Sequence, residues 1–214
     1  MGALLDLILP AVCAGCHRAG VAWCARCDAA LYAGPARVRP RCDPGVPCWA
    51  LGPYRGPARQ AVLAAKERGR RDLAGPLGAA LAAALDRLRT PGLPLVLVPA
   101  PTRAAAARRR GGDPVTAAAR RAAGSLRDCH VAPMLRLGAG ARDSVGLTTD
   151  QRIDNLRGRV RVARRGPDWT VGRADAEVVV VDDVLTTGAT VTEVVRVMGR
   201  SGLLPRAVLV TCAA

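Results

Sequence analysis

From about residue 50 onward the chain alternates two kinds of apolar pattern. In Leu77-Gly-Ala-Ala-Leu81-Ala-Ala-Ala-Leu85-Asp-Arg-Leu88 the leucines recur at helical spacing and predict a helix over 74–89, with another over 57–68 before it. Leu95-Val-Leu-Val98, Val178-Val-Val-Val181 and Ala207-Val-Leu-Val-Thr-Cys212 are short and unbroken, as expected of strands buried on both faces. Asp113-Pro114 offers an N-cap followed by a proline at the first helical position and predicts a helix to about Arg127. A further helix over about 188–200, ended by Ser201-Gly202, lies between the last two strands. Strand, helix and strand at that spacing form a βαβ unit, so the sheet should be parallel. The polar, glycine-containing stretch 138–159 has no strong period and reads as a long mobile loop with one helical turn.

Composition sharpens this outline. Of 214 residues half are hydrophobic, but none is Phe, and Trp23, Trp49, Trp169, Tyr32 and Tyr54 are the only aromatics. The core must therefore be built from Val, Leu and Ala, in one core-bearing domain with a small appendage. The net charge is +15, almost all of it arginine, with Lys66 the single lysine. Such a charge favours an anionic partner: a phosphorylated small molecule, nucleic acid or an acidic protein. No run approaches the ~18 apolar residues of a membrane span. The first ten residues lack a basic leader and are broken by Asp6, so a cytoplasmic location is expected.

Six of the eight cysteines fall within the first 48 residues, which sets a cysteine-rich module at 1–49 apart from a larger domain at 50–214. Cys13-Ala-Gly-Cys16 and Cys24-Ala-Arg-Cys27 form two CxxC knuckles seven residues apart. Each knuckle turns two sulfurs to one side, so the four can surround one structural Zn²⁺ with no position left for chemistry. Paired disulfides or a redox CxxC are the alternatives, and the lack of a secretory leader disfavours them. Cys42 and Cys48 fit a second site, an extra ligand or plain thiols equally well. Cys129 and Cys212, in strand-like surroundings, read as small buried hydrophobes.

The most informative stretch is Val178-Val-Val-Val-Asp182-Asp183-Val-Leu-Thr186-Thr187-Gly188-Ala189-Thr190. A buried strand runs into two carboxylates and turns through small hydroxylated residues into a helix. Backbone N–H groups at the helix start, the helix dipole and the threonine hydroxyls together make an anion cradle, and Gly188 lets the backbone close around a ligand. No Gly-Lys-Ser/Thr follows, so this is not a nucleotide P-loop. The segment resembles the signature by which phosphoribosyltransferases bind phosphoribosyl pyrophosphate (PRPP). That resemblance implies a type I phosphoribosyltransferase fold: α/β, Rossmann-like, with a parallel sheet. It also implies that Asp182 and Asp183 take the ribose hydroxyls, while Thr186, Thr187, Gly188, Ala189 and Thr190 hold the 5′-phosphate.

Further features resemble the ComF family, proteins linked to DNA uptake in competent bacteria that join a cysteine-zinc module to a phosphoribosyltransferase-like domain. They are Tyr54-Arg-Gly-Pro with Lys66-Glu-Arg-Gly69, Val98-Pro-Ala-Pro101 with Arg103 and Arg108–Arg110, and Gly146-Leu147, Arg152, Asn155-Leu156 and Gly158 in the loop, which the family folds over its site as a hood. Gly112-Asp113-Pro114, Ser144 and Val160 stand where the family usually differs. The resemblance implies PRPP as ligand, Mg²⁺ bound with it, and a helicase-like partner in DNA uptake. Were the site catalytic, it would transfer the phosphoribosyl group to an acceptor and release pyrophosphate. Arg103 is then the candidate for the pyrophosphate, Lys66, a compact flexible amine, a further substrate-binding candidate, and Arg142 and Arg152 candidates for closure from above. No general base stands out, since His17 lies in the cysteine module and His130 beside a strand. Binding of single-stranded DNA, through the knuckles and the arginines between 103 and 127, is the alternative; with so few aromatics it would rest on phosphate contacts.

Overall fold

Strands that are apolar on both faces need cover on both. In the computed structural model, which describes residues 11–31, 34–138, 151, 155–156, 158–162 and 176–214, they have it. Eight strands are described: β1 (Ala36–Val38), β2 (Cys48–Pro53), β3 (Leu95–Pro99), β4 (Cys129–Val131), β5 (Leu135–Leu137), β6 (Val160–Val162), β7 (Glu177–Leu185) and β8 (Ala207–Ala213). Six form one sheet in the order β1-β2-β8-β7-β3-β4, parallel throughout except for β1; β5 and β6 form a separate antiparallel ribbon. The protein is thus α/β with a mostly parallel central sheet.

Alternation along the strands divides the core in two. Leu95, Leu97, Val179, Val181 and Leu209 pack with helices α2 (Gly56–Glu67), α3 (Ala74–Leu88) and α5 (Pro114–Gly124) on one face. Val96, Val98, Val180, Val208 and Val210 pack on the other with α6 (Ala189–Arg200) and the β5–β6 ribbon. The chain also forms two short α-helices, α1 (Ala25–Leu31) and α4 (Ala104–Arg110), and a single 3-10 turn at Arg71–Leu73. None of the described helices is long and apolar enough to cross a membrane.

Three sequence expectations shift. The helix opened by Asp113-Pro114 stops at Gly124 rather than near Arg127, because Gly124 is a poor helix residue and the Ser125 and Leu126 N–H groups already turn back to the carbonyls of Ala122 and Ala123. Strand β7 does not end at Val181. Its ladder with β8 continues through Asp182↔Val210 and Val184↔Cys212 to Leu185↔Ala213, since backbone pairing is indifferent to the acidic side chains. Strand β2, which the sequence reading did not contain, spans residues 49 and 50 and pairs in parallel with β8.

The cysteine-rich residues are fastened to this body. The Arg70 guanidinium donates to the carbonyls of Val12 and Ala22, both at 3.1 Å, and forks onto Asp72. Edge strand β1 leads into residues 39–42 with Arg37, Arg39 and Arg41 exposed and Val38, Pro40 and Cys42 half-buried between them. Charge and a proline on an edge discourage pairing with other chains.

The anticipated cap at Asp113 forms and does more than cap. Its carboxylate accepts from the Thr116 N–H at 3.0 Å and, through the other oxygen, from the Thr102 hydroxyl at 2.7 Å, so it ties α5 to the loop after β3. Asp113→Ala should lower stability by about 1–2 kcal/mol. A shift in the urea midpoint without a change in slope would show it, and an unmoved midpoint would refute the tie.

Candidate functional site

Because β3 stops at Pro99 while β7 runs on to Leu185, the β3-facing edge of β7 is uncovered beyond Val181; its last bond on that side is the Ala100 N–H to the Val181 carbonyl, 2.8 Å. A cleft of about 460 Å³ opens there, beyond the carboxyl ends of the strands, where open α/β sheets bind ligands. The sequence-predicted Asp182, Asp183, Thr186, Thr187, Gly188, Ala189, Thr190, Arg103 and Lys66 all line it. Arg142, Arg152, Gly146 and Leu147 lie outside the described residues.

The two carboxylates differ. The Asp183 N–H folds back on Asp182 Oδ1 at 2.8 Å, and Lys66, from the last turn of α2, sets its Nζ 3.0 Å from Asp183 Oδ2. Burial, reinforced by the Asp183 charge and only partly relieved by Lys66, raises the Asp182 pKa to about 7. Burial likewise opposes the Lys66 charge, but Asp183 and Asp182 outweigh it and hold the ammonium above the ordinary lysine range.

Beyond Leu185 the chain turns at Thr186–Gly188 into α6. Gly188 sits at the N-cap in the left-handed region, φ 88°, and a Cβ there would lie 2.5 Å from the Cys42 carbonyl oxygen and 2.7 Å from Pro40 Cβ. Glycine is therefore required twice, for its φ and for the close approach of residues 40–42. That segment holds the loop from behind: the Cys42 N–H donates to the Thr187 carbonyl at 2.8 Å, and the Thr192 hydroxyl donates to the Cys42 carbonyl at 3.1 Å. At the front, the Ala189 N–H makes a long 3.4 Å bond to the Thr187 hydroxyl, and the start of α6 carries the positive end of its dipole. The cleft can thus take an anionic group at the helix start and hydroxyl donors at the carboxylates.

Sequence reasoning missed Glu193, one turn into α6. Burial works against its carboxylate, but Arg196 and the Gly158 N–H, 2.7 Å away, outweigh that and keep it more acidic than usual. It pins the returning end of the 138–159 segment, whose Leu156 is buried and lines the cleft. A glutamate amid the apolar positions of an amphipathic helix was the available signal.

The cysteines form a second centre. The sulfurs of Cys13, Cys16, Cys24 and Cys27 lie within 4.8 Å of one another, with Cys16 and Cys24 at 3.6 Å. A tetrahedral zinc with Zn–S near 2.3 Å needs sulfurs roughly 3.8 Å apart, so the set fits. Burial opposes the Cys13 thiolate, yet the N–H groups of Cys16, Gly15 and Cys24 overcome it and bring the pKa down to about 6. The N–H of Cys27 lowers Cys24, whereas burial raises Cys27. Gly15 has no room for a side chain: a Cβ would stand 2.7 Å from the Cys27 sulfur. Cys42 and Cys48 are not part of this group. Burial pushes Cys48 and Cys129 up to about 11 and Cys212 to about 12, which keeps them as protonated thiols.

Comparison with known proteins finds no family model that matches the chain and no curated protein that matches it.

Two measurements test these centres. The folded pKa of Asp182 lies above the ordinary carboxylate value, so its ionisation costs stability as pH rises through about 4 and the full cost is present above about 7. Asp182→Asn should therefore stabilise the ligand-free protein by an amount that grows from pH 4 to 7 and then levels off; a variant equally stable or weaker at pH 8 would contradict the burial argument. Elemental analysis should find one metal ion per chain, lost in Cys27→Ser and released faster to a chelator in Gly15→Ala. Full retention in Cys27→Ser would exclude the four-sulfur site.

Proposed function

We propose that the cleft binds PRPP, that the sheet belongs to the type I phosphoribosyltransferase class, and that the chain is ComF-like, with a structural zinc on its four cysteines. The observation that carries this reading is the succession along one strand: two carboxylates on the uncovered edge of β7, then a glycine loop braced from behind at the start of α6. In this reading the 5′-phosphate rests on the N–H and hydroxyl groups of Thr186–Thr190, and the ribose hydroxyls donate to Asp182 and Asp183. Burial raises the pKa of Asp182, which suits a partner that is a neutral hydroxyl.

Two oxygen-donor carboxylates in an open cleft also fit Mg²⁺, which when bound with PRPP would neutralise pyrophosphate charge. The reaction open to such a site is displacement at C1′. The C1′–O bond breaks with its electron pair leaving on pyrophosphate, while an acceptor N–H or O–H nucleophile forms the new bond and gives up its proton to solvent. Arg103, at the N-cap of α4, lines the cleft and is the cation this reading gives to the pyrophosphate.

A second reading, non-catalytic binding of single-stranded DNA, is favoured by the three arginines that alternate along and beyond β1. All three are exposed and so open to the phosphates of a nucleic-acid backbone.

Calorimetric titration with PRPP and Mg²⁺, beside an Asp182→Ala/Asp183→Ala variant, separates the two. Saturable binding that the double variant loses supports the phosphoribosyl reading. Absence of binding by the folded, metal-loaded chain, with salt-sensitive binding of an oligonucleotide that Arg37, Arg39 and Arg41 substitutions abolish, would replace it with the second.

A further inference from the structure

The only lysine of a chain with 32 basic residues stands in the cleft with its ammonium on a carboxylate. Nζ of Lys66 reaches both oxygens of Asp183, 3.0 Å from Oδ2 and 3.3 Å from Oδ1. The two partners are unequally enclosed: the Asp183 side chain is 15% exposed and that of Lys66 44%. The carboxylate is thus fixed at the strand end, while the lysine arrives on a flexible stem from the open side. Asp182 and Asp183 come from β7, Lys66 and Glu67 from α2, and Arg103 and Arg109 from the segment after β3.

Placing a phosphoribosyl pyrophosphate in this cleft creates a charge conflict. The pyrophosphate brings several negative charges toward two carboxylates, and the nearest cation is already committed to one of them. Ribose hydroxyls resolve half of the conflict, since each can donate to a carboxylate oxygen that the ammonium has occupied. Once Asp183 is satisfied in that way, the ammonium has a stronger partner within reach. A compact charge on four methylenes can change partners by rotating about its stem, whereas a planar guanidinium forked onto a carboxylate is held in one geometry.

We propose that Lys66 is an exchange cation: it neutralises Asp183 in the ligand-free chain and passes to the pyrophosphate of PRPP when the ribose hydroxyls take over that carboxylate. This rests on the phosphoribosyl reading and extends it. In the ligand-free cleft Asp183 keeps its own counter-ion, and the cation is delivered only when both halves of the ligand are present. Lys66 then acts as a selector for PRPP over ribose 5-phosphate, which has the same sugar and phosphate but nothing for the ammonium to move to.

Because Lys66 is unique, lysine labelled with ¹³C at Cε gives one side-chain resonance from the whole chain. That resonance should move on saturation with Mg²⁺ and PRPP. It should reach the same position when Mg²⁺ and inorganic pyrophosphate are added to the ribose 5-phosphate complex, but not with ribose 5-phosphate alone. Lys66→Met should weaken PRPP by about tenfold or more while ribose 5-phosphate binds as before, and Lys66→Arg should restore only part of the loss. Equal weakening of both ligands would mean that Lys66 merely holds Asp183 in place and would overturn the exchange. So would a resonance that PRPP leaves unmoved, or a wild-type chain that binds ribose 5-phosphate and not PRPP. A folded wild type that binds neither ligand overturns the phosphoribosyl reading itself, and the exchange with it.

Discussion

Strand β7 is paired along both edges as far as Val181 and along one edge only from Asp182 onward. The molecule depends on that change. Up to it, β3 and β8 flank the strand, and Val179, Val180 and Val181 are apolar and enclosed. Past it, one edge faces a cleft, and the first side chains there are carboxylates. The lost neighbour follows from Pro99 and Pro101, which bracket Ala100 and cannot donate to a ladder. The same interruption frees residues 101–103 to turn away and form the opposite wall. Cleft, acids and loop are thus consequences of one strand outlasting its neighbour.

The loop beyond β7 is held by a part of the chain that the sequence sets apart by composition. Residues 40–42 follow the cysteine knuckles and the edge strand, yet their carbonyl, amide and proline ring touch Thr187, Gly188 and Thr192. Bonds made to the back of a turn leave its front groups available, a form of preorganisation that lowers the ordering cost of binding. Arg70 performs the corresponding task for the knuckles, joining two of their carbonyls to the body of the fold.

Elements with strong local patterns were legible in the sequence. The three apolar runs at 95, 178 and 207 became β3, β7 and β8, and Asp113-Pro114 opened α5. The two CxxC knuckles converged as their spacing required. Strand β2 was not legible: Cys48-Trp-Ala-Leu-Gly-Pro carries a glycine and a proline and sits against cysteines, and what makes it a strand is the waiting edge of β8. The ribbon of β5 and β6 has three residues on each side, too few for a period to show. The extension of β7 through Asp182 and Asp183 escaped for the opposite reason, since there the backbone ladder overrides a side-chain pattern that says stop. Lys66 stood out by its rarity alone, and its partner lies 117 positions away in sequence.

The pairing of β2 with β8 joins Cys48 to Val208 and so links strands from the early and late parts of the chain. A ribosome delivers them in that order, and β2 emerges long before the edge it will occupy. The knuckles need only residues 13–27 and can close while the sheet is still being made. Long-range parallel pairing is slow for reasons of loop entropy, and unpaired strands are prone to misassociate in the interval. Whatever ion the cysteines take up, they are positioned to take it during synthesis, before the phosphate loop and the brace behind it exist as a unit.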